Sequence, residues 1–491
     1  MKSQSTSRTK GDRFSKAIVA GLLAAVAMTA LAHGAVEPWS ILLFECIQIA
    51  LVLLWVIKIA RDKRLSLLIP DIVFPIAALL GIGLLQSIAL RGTDGVRHSL
   101  SLDVESTRRT VIVLFFLLIS FVIAANFLAS RGRLSKLAGF LTIFGLAIAV
   151  FALVQHFTWN GKLYWIRPNT VSISPFGPFV NHNHFAGYME LLIPIPIALI
   201  ITGAVRGETR LLYGFAAAVM GVALAASLSR GGMLSLATAL VFLIVMSGRL
   251  AKAEPAGRRS QHSGGLAGTG LIAALQRQGT LASRIVIVLA IGGAITAGIV
   301  WVGPEAVATR ITEGQAATSG QQQAGLSNRV WVWRDTLSMI RANPLLGVGL
   351  GAYGTAFPIY TRSDGSIRVP QAHNDYLQVV ADCGAVGGLI AVWFLVLTFK
   401  AIWRGVKSRD PLMAGLALGG GASIFAILVH SLFDFNLQLP GTALLFLVTS
   451  AVVARVSTIA ASERSLAAPA AAQPKLDEGE RAPAARVRGM S

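Results

Sequence analysis

Charge is scarce in this 491-residue chain. Only 13% of it is Asp, Glu, Lys or Arg, where soluble domains carry about 25%; that shortage excludes an ordinary water-soluble globular protein. Cysteine is scarcer still. The two present, Cys46 and Cys383, lie in apolar runs and exclude a disulfide framework or a regularly spaced thiolate metal site. No charged residue stands near the centre of an apolar run, which disfavours an ion or solute carrier, because carriers keep their ionisable sites near the bilayer midplane. No internal repeat of 20 to 50 residues is apparent either, so a solenoid is not indicated.

What the chain has in abundance is apolar sequence: 54% is hydrophobic and the mean hydropathy is +0.66. Runs of about 17 to 25 apolar residues, enough to cross a bilayer as helix, fall near 17–34, 40–57, 67–90, 110–129, 137–156, 184–203, 211–228, 232–248, 285–303, 374–398, 412–432 and 441–458. The expectation is an all-α polytopic membrane protein of about twelve spans. The net charge of +20 does not call for nucleic acid. With the N-terminus in the cytoplasm, most Lys and Arg fall on the inner side, in turns such as KIARDKR at 58–64 and SRGRLSK at 130–136, as the positive-inside rule requires. The first run ends in Ala30-Leu31-Ala32, which resembles a signal-peptide cleavage site; an uncleaved first span is the expectation adopted.

Three polar tracts exceed a turn. Residues 249–283 are basic and Gly/Ser-rich, which suits a flexible inner loop, and the Ala/Pro-rich tail from 461 to 491 reads as a disordered cytoplasmic segment. The third, 304–372, is an outer loop domain separating a membrane domain of nine spans (1–303) from one of three (373–460). Within it SNRVWVWRDTLSMIRANP predicts a helix that stops at Asn343-Pro344. Trp331 and Trp333 would either lie at headgroup level or pack inside the protein.

The same topology places four motifs on the outer side. NHNHFAGY opens the sixth span with Asn181, His182, Asn183 and His184; Arg230 lies in SLSRGGMLSL; Arg329 lies on the loop helix; His373, with Asn374 and Asp375, opens the tenth span. Glu190, Asp382 and His430 also fall toward the outer ends of their spans. A histidine can accept a proton near neutral pH, and two guanidinium forks suit a diphosphate. Each group also has a plainer role as an interfacial hydrogen-bonder. His182, His184 and His373 lack the further ligands that a metal site needs. GLGAYG at 349–354 matches a dinucleotide fingerprint but lacks its strand–turn–helix context.

These residues resemble the O-antigen ligase and O-antigen polymerase superfamily from about Phe176 to Gly388. His373-Asn374, nine residues, then Gly384-Ala385-Val386-Gly387 looks like the pattern H-[NSQ]-x9-G-x-x-[GTY]. Arg230 and Leu234 fit R-x3-L, Asn181 to Tyr188 resembles N-x-N-x-F-A-G-Y, and Asn328 to Tyr353 is similar to the segment carrying a second functional arginine, here Arg329. The resemblance implies a GT-C-like fold and a glycosyltransferase of the bacterial inner membrane, with cytoplasmic termini and a periplasmic site. It would move a glycan from an undecaprenyl-diphosphate carrier to an acceptor sugar hydroxyl such as that of lipid A-core, using no metal, nucleotide sugar or other cofactor. It implies His373, Arg230 and Arg329 as catalytic residues. Asn181, Asn183, His184, Glu190, Asn374 and Asp375 are candidates to line or support the site. A repeat-unit polymerase or a protein O-oligosaccharyltransferase remains an alternative within the enzyme class, and a solute transporter outside it.

Overall fold

A computed structural model describes residues 2–91, 97–168, 175–253, 326–362 and 368–467, with the isolated positions 285, 288, 289, 292 and 293. The helices among them are α1 (Lys2–Leu31), α2 (Pro38–Asp62), α3 (Val73–Gln86), α4 (Val104–Phe127), α5 (Arg131–Phe157), α6 (His182–Leu192), α7 (Pro194–Ile201), α8 (Glu208–Ala226), α9 (Arg230–Ala253), α10 (Leu326–Ala342), α11 (Tyr353–Tyr360), α12 (Asp375–Gly405), α13 (Pro411–His430) and α14 (Pro440–Ala467). Two short antiparallel hairpins, β1–β2 (Ala89–Arg91, Arg97–Ser99) and β3–β4 (Lys162–Leu163, Arg167–Pro168), make up the sheet content of these residues.

Ten spans in the described residues are long and apolar enough to cross a membrane, α6 and α7 together forming one of them. This is a multi-pass, almost entirely helical protein. Two of the twelve expected spans stand apart. Most of 285–303 lies outside the described residues, and 67–90 contains only the 14-residue α3. A helix of that length rises about 21 Å, short of a hydrocarbon core of about 30 Å. The apolar run continues past Gln86, but the backbone turns there into β1–β2, which hydropathy alone does not register. At the other end of the chain α14 runs to Ala467, a few residues into the expected tail.

The helix starts follow from their sequence. Asp103, Ser130, Asn181, Asn374 and Asp410 each accept a backbone N–H from the first turn of α4, α5, α6, α12 and α13. Such caps satisfy donors that have no partner inside the helix. At the centre of the bundle, the α6–α7 span is buried along its whole length. The join comes at Pro194, whose missing N–H suits the first position of a new helix. Small residues let α13 approach it closely: a Cβ on Gly419 would lie 2.8 Å from Ile195 Cα, the small-residue packing typical of membrane helices.

α12 is a broken helix. Gly384 has φ +62° and ψ −161°, a conformation suited to glycine, and the chain from Pro344 to Gly349 inserts at the break. Val348 N donates to Ala381 O at 3.0 Å, Gly349 N to Asp382 O at 3.0 Å, and Ala385 N to Pro344 O at 2.8 Å. The fully buried Gln86 at the end of α3 locks this insert, donating to Leu346 O and Asp382 O and accepting from Leu350 N. Backbone groups freed by the kink are thus paired inside the protein, the condition for interrupting a helix in a membrane. The glycines of GLGAYG belong to this insert and its turn rather than to a nucleotide site.

α10 and α11 share a small core of their own. Val332, Met339, Tyr353, Phe357 and Ala372 pack together and reach Ala381 of α12. Trp331 lies tilted against Phe357 with ring centroids 6.0 Å apart, and Trp333 donates to Ala372 O at 3.0 Å. Both tryptophans are half-buried and make these contacts within the protein.

Candidate active site

Three of the sequence motifs meet at a fourth element that the motifs do not include. The loop 431–439 joins α13 to α14 and carries Asp434, whose side chain is 1% exposed. Asp434 Oδ1 accepts from its neighbour Phe435 N at 2.9 Å and faces His373 Nδ1 at 3.4 Å. Its other oxygen stands 3.7 Å from Arg329 Nη2, and Arg329 Nη1 also donates to Phe433 O. One buried carboxylate therefore joins a guanidinium from α10 to an imidazole at the mouth of α12. Burial alone would raise the Asp434 carboxyl; the His373 hydrogen bond, with the charges of nearby histidines and Arg329, holds it well below the ordinary carboxylate range.

Local structure explains why His373 points there. It adopts φ +50°, uncommon for a residue with a Cβ, and Asn374 immediately after it caps α12 by accepting from Tyr376 N and Leu377 N. The two expected site residues that follow His373 are used as scaffold. Asn374 Nδ2 donates to Leu432 O at 3.1 Å. Asp375 accepts from Ser431 Oγ at 2.8 Å, from Leu437 N and from Gln438 Nε2, while its own N–H donates to Ser431 O. The cap of α12 thereby clamps the loop bearing Asp434 from both sides.

Asn181 caps α6 by accepting from Asn183 N at 2.8 Å, and His182 Nδ1 lies 2.8 Å from Ser227 O. His184 is buried against the edge of Phe435, at 5.0 Å between centroids, and His373 lies on the same ring at 4.9 Å. Both ring nitrogens of His184 are buried without a hydrogen-bond partner among the described residues, as are Arg329 Nε and both side-chain polar atoms of Asn436. Two turns further along α6, Glu190 accepts from His430 Nδ1 at 2.8 Å, both groups essentially fully buried.

Arg230 is joined to the cluster at one remove. It is exposed at the first residue of α9, and its neighbour Gly231 packs so closely on His430 that a Cβ there would lie 2.9 Å from the ring. Among the described residues Arg230 makes no ion pair, whereas Arg329 is already engaged by Asp434 and Phe433. The three histidines considered for a metal do not form a ligand set; among the described residues no group of three or more His, Cys, Asp or Glu side chains is placed to hold an ion.

The missed residues were Asp434, with Phe435 and Asn436 beside it. Their signal was HSLFDFNLQLP, a polar turn with one acid between two long apolar runs.

The described residues thus form a helical membrane bundle with an acid–imidazole–guanidinium cluster close to the small core of α10 and α11. Residues 215–392 match the family model described as O-antigen ligase, and over that stretch the chain is similar to the O-antigen ligase superfamily. The match includes Arg230, Arg329 and His373 and ends before Asp434. A search of curated proteins gave no match.

Proposed function

We propose that the protein transfers a glycan from an undecaprenyl-diphosphate carrier to a sugar hydroxyl of lipid A-core, at the periplasmic face of the bacterial inner membrane. The observation that carries this reading is the meeting of His373 and Arg329 on the buried Asp434, with the unpaired Arg230 at the start of α9. The basic inner turns support cytoplasmic termini and a periplasmic site.

Asp434 accepts from Nδ1–H of His373 and so leaves Nε2 as the base. The acceptor oxygen attacks the anomeric carbon as Nε2 takes its proton, and the bond from that carbon to the diphosphate breaks with its electron pair going to the leaving polyprenyl diphosphate. Asp434 stabilises the imidazolium that forms, and the proton then passes to water. Arg230 holds the growing charge on the diphosphate by charge-assisted hydrogen bonds, worth about 1.5 to 3 kcal/mol each. Arg329 orients the carboxylate and adds positive potential, so the step needs no metal. His184 and Asn183 line the approach; Asn181, Asn374, Asp375 and Glu190 hold the elements in place.

The test is a lipopolysaccharide gel with a lipid-linked glycan assay in a deletion strain. Long chains retained on the carrier are expected. Core bearing a single repeat unit would instead indicate a repeat-unit polymerase, and normal lipopolysaccharide with loss of glycosylated protein would indicate a protein O-oligosaccharyltransferase. His373→Ala should reproduce the deletion; full complementation by it would remove His373 from the mechanism.

A further inference from the structure

The residue before His373 is held from two directions. Ala372 N–H donates to Gln378 Oε1 at 2.7 Å, and Ala372 O accepts from Trp333 Nε1 at 3.0 Å. The carbonyl of Ala372 and the N–H of His373 share one planar unit, so fixing that carbonyl fixes the plane from which the His373 side chain departs. His373 needs such help. Its φ of +50° is unfavourable for a residue with a Cβ, and a strained conformation persists only where its surroundings impose it. Trp333 lies one turn after Arg329 on α10, on the same face of the helix. Through these two residues, one helix sets both the guanidinium that meets Asp434 and the peptide that aims the imidazole at it.

We propose that Trp333 is a positioning residue of the active site, its indole N–H holding the Ala372–His373 peptide in the left-handed turn that directs His373 to Asp434. The proposal rests on the transferase reading of the site. It distinguishes Trp333 from Trp331, whose ring packs on Phe357.

The experiment uses the purified full-length protein in lipid vesicles, with undecaprenyl-diphosphate-linked glycan extracted from the deletion strain as donor, and rates taken per monodisperse protein. Trp333→Phe keeps an aromatic ring and removes the N–H. It should lower turnover about tenfold, the upper end of what one net hydrogen bond contributes, while the donor KM stays unchanged. In a His373→Ala background it should lower the residual transfer no further, because its effect acts through the imidazole. A wild-type rate for Trp333→Phe, or the same tenfold loss in both backgrounds, would overturn the positioning role alone. Absence of transfer by the wild-type protein would refute the functional reading, and the positioning role with it.

Discussion

Replacing Asp434 by Asn tests the site most directly, because it removes one charge and almost no volume. Arg329 Nη2 stands 3.7 Å from the carboxylate, which at an effective dielectric of 20 corresponds to about 4 kcal/mol of attraction. The carboxylate is buried and Arg329 is only 12% exposed, so Asn leaves a poorly solvated cation beside a neutral amide. Breaking a buried pair in this way costs about 3 to 5 kcal/mol, and the partial exposure of Arg329 puts the expectation at the lower end of that range. Loss of the carboxylate behind an imidazole base should also lower turnover by about 10² to 10⁴. Thermal unfolding of the detergent-solubilised protein reads the first effect and glycan transfer the second. Removing both charges, with Asp434→Asn and Arg329→Gln together, should recover part of the stability and none of the activity. If Asp434→Asn unfolds at the wild-type temperature, or the two single losses simply add, the carboxylate does not hold the arginine and the site must be redrawn.

Arg230→Ala should leave the unfolding temperature within about 0.5 kcal/mol-equivalent of wild type, as for an exposed unpaired side chain, yet abolish transfer; a normal rate would remove Arg230 from the donor site. Gly384→Ala places a Cβ 2.2 Å from Leu345 backbone atoms at φ +62°, and should cost more than about 4 kcal/mol, read as loss of folded protein on expression. Asp103 and Asp434 both lie below the ordinary carboxylate range, Asp103 through the hydrogen bond from Ser106 N and Asp434 through His373 against the opposing effect of burial. A depressed folded value means the stabilisation is complete above the unfolded carboxylate value of about 4 and is lost as pH falls toward the folded one. Unfolding temperature should therefore drop on acidification below about pH 4, and less steeply in Asp434→Asn, with parallel curves refuting the assignment.

Much of this was legible in the sequence, for reasons that are local. Span positions follow from hydropathy, and the pattern from His373 to Gly384 records structure directly: its nine intervening residues are the half-helix between the α12 cap and its break. The loop helix ends at Ala342 because Asn343-Pro344 follows. What escaped depends on contacts distant in the chain. Asp434 gains its meaning from His373 and Arg329, and nothing within its own short turn distinguishes it from an interfacial acid. Trp333 could be assigned to lipid or to protein until Ala372 was seen opposite it. The shortness of α3 is a matter of backbone direction at Gln86, where the apolar run carries on and the helix does not.

The break in α12 also separates crossing the bilayer from aiming the imidazole. The roughly 20 residues after Gly384 rise about 30 Å, already the thickness of a hydrocarbon core. The half-helix Asp375–Cys383 is therefore released from any spanning duty, and its heading is set by the segment wedged in at Pro344–Gly349 rather than by lipid chain length. Vesicles of thicker or thinner acyl chains should tilt the lower segment and leave the spacing between positions 373 and 434 as it is.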